Sequence, residues 1–288
     1  MAIIYNPASG SGRASRIAHS FQRALADAGH EVQPVRVGAP RPTGWVPDVL
    51  VLVGGDGTVK HALDEAIAAG VPIYHVPLGN ENLFAREYSM TRDPARLRRA
   101  LDDPRVHAID VGVVEHGPAR QRFAIMLSVG PDASVIHRMD ADGRSARGHL
   151  AYVAPIAEEL ADPGIEPITL DVDGRRVVDA QPGLLVVANL RRYAFGIDPA
   201  RNADPRDALL DAVFIPATTP GRLIWAAACA ALGRLDRIEG VVAVRGSRFE
   251  INAPGGKAQA DGEPLRLPMP LTASVEPRAL RVLRPPRG

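Results

Sequence analysis

An apolar strand that runs directly into a glycine turn and a helix constrains the fold more than any other feature of this sequence. Residues 48–70 read DVLVLVGGDGTVKHALDEAIAAG. The apolar run before the glycines is continuous rather than alternating, which is typical of a strand buried on both faces. After the glycines, apolar residues recur at the spacing of one helix face: Val59, Ala62, Leu63, Ala66 and Ile67. The segment therefore predicts one strand, turn and helix unit of a parallel α/β sheet.

The same alternation of strand and helix continues through the first hundred residues. Residues 2–5 are apolar and lead into NPASGSG, and residues 71–76 are apolar and lead into PLGNENLFARE. Asp93 followed by Pro94 has the residue types of a helix N-cap and first helical position. We therefore predict a Rossmann-like, doubly wound α/β domain over residues 1–108, with ligands at the carboxyl ends of its strands.

Short strands predominate in the rest of the chain. AIDVGVV and RFAIMLSVG are separated by the turn-rich EHGPARQ, and ITLDVDGRRVVDA has the pattern of a hairpin with Asp173 and Gly174 at its turn. No long linker, low-complexity tract or internal repeat separates the two halves. Residues 109–288 are therefore predicted to form a β-rich, mainly antiparallel, sandwich-like domain.

Composition and charge narrow the class of protein. Hydrophobic residues make up 46% of the 288 residues and charged residues 23%, as in a soluble globular protein. The formal net charge is +1, which gives no electrostatic reason to expect a nucleic-acid partner. The single cysteine, Cys229, cannot form an internal disulfide, which fits a reducing compartment.

No segment predicts a secretion signal or a membrane span. The N-terminal MAIIYNPASG lacks a basic region followed by an apolar core, so we expect a cytoplasmic protein. The longest apolar run, LIWAAACAAL at residues 223–232, is about half of the ~20 residues that a span needs. A packed helix is the interpretation we favour for this run, and a helix lying on a membrane surface is the alternative.

The glycine turn predicts a phosphate site. Gly54, Gly55 and Gly57 remove the β-carbons that would hold a ligand away, and the following helix N-terminus carries partial positive charge, with Thr58 placed to cap it. Asp56 would repel a phosphate about 4 Å away by a kcal/mol or more, so its presence favours a Mg²⁺-nucleotide over a bare phosphate. The alternative is a plain turn in which Asp56 caps the helix.

An ordered set of segments resembles one known family. NPASGSGRA, VLVGGDGTVKHAL, VPLGNENLFARE, AIDVGVV, SVGPDASVIHR, VVANLRRYAFG, DPRDALLDAVFI and AQADGEPL together are similar to diacylglycerol and sphingosine kinases, in the bacterial lipid kinase branch. The resemblance extends over nearly the whole chain. It implies a nucleotide-binding α/β domain, a β-rich lipid-binding domain, and ATP and Mg²⁺ as cofactors.

The resemblance also implies roles for particular residues. The residues implied in nucleotide binding are Asn6, Gly54, Gly55, Asp56, Gly57, Thr58, Val59, Lys60, Gly79, Asn80 and Asn82. Glu263 is implied as the base that accepts the proton of the substrate hydroxyl, with Asp56 and Asp261 as further catalytic acids. Asp204, Asp207 and the backbone carbonyl of Leu209 match a structural Mg²⁺ site.

Three positions depart from the family pattern. Asn80 stands where the family usually has Thr, Leu83 where it usually has Asp, and Ala208 where Gly usually follows Asp207. The last departure puts the structural metal in question, because glycine there often supplies a backbone angle that alanine resists.

The residues themselves argue less strongly for Glu263. Asp261 and Glu263 lie two apart, so on a strand both carboxylates would face the same side. However, the DG pair at Asp173 has the pattern of an ordinary hairpin turn, and the DG pair at Asp261 could be another.

Three functions are compatible with these patterns. The first is an ATP-dependent kinase that phosphorylates a lipid hydroxyl, with transient contact at the inner face of a membrane. The second is a kinase with a soluble acceptor, of the NAD kinase type, and the third is a non-catalytic nucleotide or lipid sensor. The segments PLGNENLFARE and DGEPL favour the first.

Overall fold

The computed structural model describes residues 1–39, 46–141, 153–161 and 164–286. The chain divides into two compact units. The first comprises Met1–Ile109 with Arg278–Gly288, and the second comprises Asp110–Pro277.

The first unit is a parallel α/β sheet. Its strands are β1 (Ala2–Tyr5), β2 (Gln33–Arg36), β3 (Leu50–Gly54) and β4 (Ile73–Pro77). They lie in the order β2, β1, β3, β4, and every pair is parallel. Its helices are α1 (Ala14–Ala26), α2 (Asp56–Ala69), α3 (Leu83–Glu87) and α4 (Pro94–Asp102). Strand β3 is buried along its whole length, as its continuous apolar run predicts.

The helix ends show which capping predictions hold. Asp93 caps α4 by accepting the backbone N–H of Ala95, with Pro94 in the first helical turn, as predicted. The prediction that Thr58 caps α2 is wrong, because the helix begins at Asp56 with Gly55 as its N-cap. Thr58 is therefore inside the first turn, and its side chain is buried.

The second unit is built from antiparallel strands. The remaining strands are β5 (Arg105–His116), β6 (Ala119–Phe123), β7 (Met126–Val129), β8 (Pro167–Val172), β9 (Arg175–Ala188), β10 (Leu210–Pro216), β11 (Val242–Gly246), β12 (Arg248–Asn252), β13 (Ala258–Ala260), β14 (Glu263–Leu265) and β15 (Leu271–Arg284). The helices are α5 (Pro131–Ala141), α6 (Val153–Ala161) and α7 (Pro220–Ala231).

The long strand β9 belongs to two layers. Its first half pairs with β8, which continues to β12, and its second half pairs with β7 on one side and β10 on the other. Strands β13 and β14 extend the second layer beyond β7, and β11 extends it beyond β10. Side chains such as Phe123, Phe214 and Phe249 fill a common core. The predicted fold class, an α/β domain followed by a β-rich sandwich-like domain, is confirmed.

The last strand changes the expected domain limits. Val282 of β15 pairs in parallel with Ile73 of β4, and Leu280, Val282 and Leu283 are fully buried. From the sequence we predicted that residues 109–288 form the second domain. Residues 278–288 group instead with the first unit, because their apolar side chains complete its sheet.

Helix α7 is the helix predicted for the apolar run at residues 223–232. It buries Ala226, Cys229 and Ala230, but Ile224 and Trp225 lie on the surface. Within the described ranges, no helix is long and apolar enough to cross a membrane.

Candidate functional site

Three turns of the first unit converge at the carboxyl ends of β1, β3 and β4. The backbone N–H of Leu78, after β4, donates to the carbonyl of Gly54, at the end of β3, at 2.7 Å. Gly10, in the turn after β1, has a φ of +59° and lies so close that an added β-carbon would be 3.4 Å from Leu78 Cβ. The glycine turn is thus at the edge of the sheet where ligands of parallel sheets bind.

Gly55 and Gly79 bring two of these turns into backbone contact. A β-carbon on Gly79 would lie 2.7 Å from Gly55 Cα, and one on Gly55 would lie 3.1 Å from Gly79 Cα. Both positions therefore need glycine for steric reasons. The resulting surface is bare backbone, which suits the close approach of a phosphate.

Asn82 fixes the turn after β4. Its Oδ1 accepts the N–H of Gly79 and its Nδ2 donates to the Gly79 carbonyl, both at 2.7 Å. Asn82 has a φ of +48°, a conformation that Asn tolerates better than most residues. Both groups of its side-chain amide are used in this way, so we infer that Asn82 shapes the loop.

The carboxylate of Asp56 is bound to the start of helix α3. One oxygen accepts the backbone N–H of Leu83 at 3.0 Å, and the other accepts that of Phe84 at 3.1 Å. These are amides that the first turn of a helix cannot bond internally. These two amides account for the presence of a carboxylate at this position without the cation that we inferred from the sequence. Asp56 does cap a helix, but the helix is α3 and not its own.

His75 was not predicted as part of this region. It lies in β4, is fully buried, and donates from Nε2 to the Gly54 carbonyl at 2.9 Å. Burial lowers its pKa, against a smaller opposing effect from the charge of Asp56. Nδ1 has no hydrogen-bond partner among the described residues. A histidine within the apolar run PIYHVP was the signal that could have found it.

The other predicted nucleotide residues divide by exposure. The side chains of Thr58 and Val59 are buried, and a β-carbon on Gly54 would collide with Thr58 Oγ1, so both side chains pack inside the first unit. Those that remain partly exposed around the turns include Asn6, Gly57, Lys60 and Asn80.

In the second unit, Asp261 stabilises a loop. Its buried carboxylate accepts the backbone N–H groups of Ala124, Ile125 and Met126 at 2.7 to 3.0 Å. Asp261 has a φ of +51° in the turn between β13 and β14, so it is not on a strand. The expectation that it faces the same side as Glu263 is wrong for that reason. Glu263 begins β14 and is half-buried.

A buried polar chain, absent from the predictions, leads to the turn before Glu263. Asp132 accepts hydrogen bonds from the hydroxyls of Ser128 at 2.5 Å and Tyr193 at 2.6 Å. Gln259 donates to Ser128 at 2.7 Å and accepts the N–H of Gly262 at 2.8 Å. Burial raises the pKa of Asp132, and the hydroxyl donors oppose that shift.

The residues predicted to hold a structural metal are paired with arginines. Asp204 accepts from Arg206 at 3.0 and 3.2 Å, and these hydrogen bonds lower its pKa. Asp207 forms an ion pair with Arg245 and accepts the N–H of Leu209 at 3.1 Å.

Arg245 also lies 3.5 Å from Asp211, so one guanidinium is shared by two of these acids. Ala208 does adopt the left-handed angle expected of glycine, with a φ of +61°. In the described parts of the chain, no three His, Cys, Asp or Glu residues form a metal-binding group. In this structure the two aspartates are paired with arginines, and the assignment of Asp204, Asp207 and the Leu209 carbonyl to a structural Mg²⁺ stays a prediction.

Comparison with known families agrees with this architecture. The model of the diacylglycerol kinase catalytic domain matches residues 1–114, and that of the YegS C-terminal NAD kinase beta sandwich-like domain matches residues 125–284. The chain belongs to the diacylglycerol kinase-like family. The expected resemblance is confirmed, and the family supports an ATP-using phosphotransferase of the lipid kinase or NAD kinase type.

Individual members show the same two branches. A diacylglycerol kinase of Mycobacterium tuberculosis is 27% identical over 98% of this chain and 94% of its own length. An NAD kinase of Heliobacterium modesticaldum is 25% identical over 47% of this chain and 55% of its own length.

Two solved structures share the fold of this family member. A diacylglycerol kinase from Bacillus anthracis has a TM-score of 0.65 and 16% identity, covering 99% of this chain and 96% of that one. An NAD kinase from Archaeoglobus fulgidus in complex with ATP has a TM-score of 0.56 and 16% identity, covering 99% and 93%.

Proposed function

We propose that this chain is a lipid kinase, which transfers the γ-phosphoryl group of ATP to a hydroxyl of a diacylglycerol-like or sphingoid-like lipid. One observation carries the choice of acceptor. The match to the Mycobacterium tuberculosis diacylglycerol kinase extends over 98% of this chain, whereas the match to the Heliobacterium NAD kinase covers 47%.

The first unit would bind the nucleotide. The backbone of the turn from Gly54 to Gly57, packed against Gly79, leaves room for phosphate oxygens, and Lys60 adds a positive charge. Asn6 and Asn80 are half-exposed at the other two turns. Bound ATP with Mg²⁺ supplies the phosphoryl group. Asp56 would act by holding α3 in place, since both of its oxygens accept backbone amides.

Glu263 would take the proton of the acceptor hydroxyl. It stands beside a turn that Asp261 and Gln259 hold through hydrogen bonds, so its position is well supported by the fold. General-base catalysis of this kind contributes roughly 10² to 10⁴ in rate.

Substitution tests that role. Glu263→Gln is expected to retain ATP affinity and to lose turnover by about 10² or more. Glu250→Gln, at an exposed strand position of the same unit, is the matched control and is expected to keep turnover. Wild-type turnover in Glu263→Gln would contradict the assignment of the base.

An acceptor screen tests the function itself. Labelled ATP is incubated with a lipid library in mixed micelles and, separately, with NAD and other soluble alcohols, and each product is identified by mass. We expect a phosphorylated lipid. A phosphorylated soluble acceptor would favour the NAD kinase type, and ATP binding without any transfer would favour a sensor. If a lipid is the acceptor, we expect a cytoplasmic protein that contacts the inner face of the membrane transiently.

A further inference from the structure

Helix α7 presents two large apolar side chains, Ile224 and Trp225, to solvent and buries only small ones, while Leu223 is half-buried. Trp225 is 63% exposed and Ile224 is 57% exposed, and Leu232, at the C-cap, is 68% exposed. The fully buried positions are Ala226, Cys229 and Ala230. A surface helix of a soluble protein normally has the opposite arrangement, because burial of large apolar side chains is what stabilises it.

The exposed residues lie on one side of the helix. Ala228 follows Ile224 by four residues and Trp225 by three, and Leu232 follows Ala228 by four; we call these four residues the α7 face. The helix is well formed, since Thr219 caps its start and Gly233, with a φ of +68°, ends it. The α7 face is therefore a continuous apolar surface on a rigid element.

Arginines flank the α7 face. Arg222 lies in the first turn, and Arg234 and Arg237 follow the helix, all exposed. Arg201 donates to the carbonyls of Ala230 and Ala231 at the C-terminal end at 2.7 and 2.8 Å. The nearby acids are Asp236 and Glu239, and the helix itself contains none.

We propose that the α7 face docks on the surface of a bilayer that contains anionic lipid. An apolar face with a tryptophan and a border of arginines has the chemistry of a helix that lies in the headgroup region, where aromatic rings and basic side chains both find partners. The role of this docking rests on the proposed function, because a kinase with a lipid acceptor must reach that lipid in a bilayer.

The charges argue against a second copy of the chain as the occupant. A symmetric dimer across the α7 face would bring the arginine border of one copy against that of the other. An anionic headgroup layer instead offers a partner to each guanidinium.

Vesicle flotation without nucleotide tests the proposal. Wild-type protein is expected to float with vesicles of phosphatidylcholine and phosphatidylglycerol, and less with phosphatidylcholine alone. Ile224→Ser, Trp225→Ser and Leu232→Ser combined should reduce binding by about tenfold or more, because binding scales with the apolar area inserted. Val46→Ser, at a position 68% exposed in the first unit, is the matched control. Failure of wild-type protein to float, or flotation of the triple variant like wild type, would overturn the proposal.

Tryptophan fluorescence gives a second measurement of membrane contact. It uses a protein whose α7 face is unchanged, so a folding defect of the triple variant cannot affect it. The chain has two tryptophans, Trp45 and Trp225. In a Trp45→Phe variant, vesicles are expected to shift the emission of Trp225 to shorter wavelength, and brominated acyl chains should quench it. Unchanged emission in the presence of bound vesicles would also overturn the proposal.

Two further measurements separate the proposal from its rivals. The triple variant should phosphorylate a lipid in detergent micelles at the wild-type rate, so loss of flotation with retained micelle activity supports the α7 face. Absence of activity in micelles with normal flotation counts against the proposed kinase and leaves the α7 face supported. A concentration-dependent dimer that the triple variant lacks, without flotation of wild type, would assign the face to a second copy.

Discussion

The carboxylate of Asp56 accepts the backbone N–H of Leu83 at 3.0 Å across 27 residues of chain. It joins the glycine turn after β3 to the helix that follows β4, and the second oxygen makes the same contact with Phe84. Leu83 stands where the family usually has Asp, but its side chain is buried and its contribution to this contact comes from the backbone. The hydrogen bond to Asp56 is therefore kept although Leu83 departs from the family pattern.

Removal of the Asp56 carboxylate should cost stability. Asp56→Ala leaves two partly buried amides without an acceptor, so we expect a loss of about 1 to 3 kcal/mol in the free energy of unfolding. Asp64→Ala, an exposed acid on the same helix, should change it by less than about 0.5 kcal/mol. Urea titration of both variants measures the difference. Equal stability of Asp56→Ala and wild type, with lost nucleotide affinity, would show that Asp56 acts on the ligand alone.

His75 should make stability fall in mildly acidic solution. Burial lowers its pKa in the folded state, so the unfolded chain takes up the proton first. Stability is therefore retained above about pH 6.5 and lost as the pH falls from there toward the folded pKa, by at most about 1.4 kcal/mol per pH unit. His75→Gln should remove this slope, and His61→Gln, at an exposed position, should keep it. Melting temperatures measured from pH 7.5 down to about 5.5 decide between the two outcomes, since this range spans the unperturbed pKa of histidine.

Two aspartates in equivalent turns should differ in their effect on stability. Asp173 and Asp261 both precede glycine at positive φ, and both accept backbone amides. Asp261→Ala leaves three buried amides unpaired and should cost about 3 kcal/mol or more. Asp173→Ala, at an exposed turn, should cost less than about 1 kcal/mol. Similar losses in chemical denaturation would refute the importance that we assign to the buried site.

The arginine-paired acids predict insensitivity to magnesium. Without nucleotide, millimolar Mg²⁺ should leave the melting temperature unchanged, because Arg206 and Arg245 already pair with Asp204 and Asp207. Arg245→Ala should destabilise the protein by about 1 kcal/mol, and Arg248→Ala, whose pair with Glu250 is exposed, by less. A rise in melting temperature with Mg²⁺ alone in the wild type would support the metal site instead.

Local periodicity was sufficient to predict most of the first unit. Of the predicted helix face, Val59, Ala62, Leu63 and Ala66 are buried and Ile67 is half-buried, and the glycine turn lies at the carboxyl edge of the sheet. Both are set by residues close in sequence, so spacing alone reveals them.

Long-range contacts explain what the sequence did not reveal. The backbone N–H groups that donate to Asp56 and Asp261 lie 27 or more and 135 or more residues away, and no spacing rule predicts such pairs. The ion pair of Asp207 with Arg245 could not be predicted either, since the two residues are 38 positions apart. Nor could the apolar run at residues 223–232 show which side of its helix faces solvent.

The place of β15 in the first unit has a consequence for synthesis. Translation makes residues 1–109 first, but the strand that borders β4 and buries Leu280, Val282 and Leu283 is made only after the whole β-rich unit. While the β-rich unit is being translated, the edge of β4 and its apolar neighbours lack β15, their native partner. The β4 edge of the nascent N-terminal sheet therefore stays uncovered, exposed to chaperones and to other chains, until residues 278–284 have also been made.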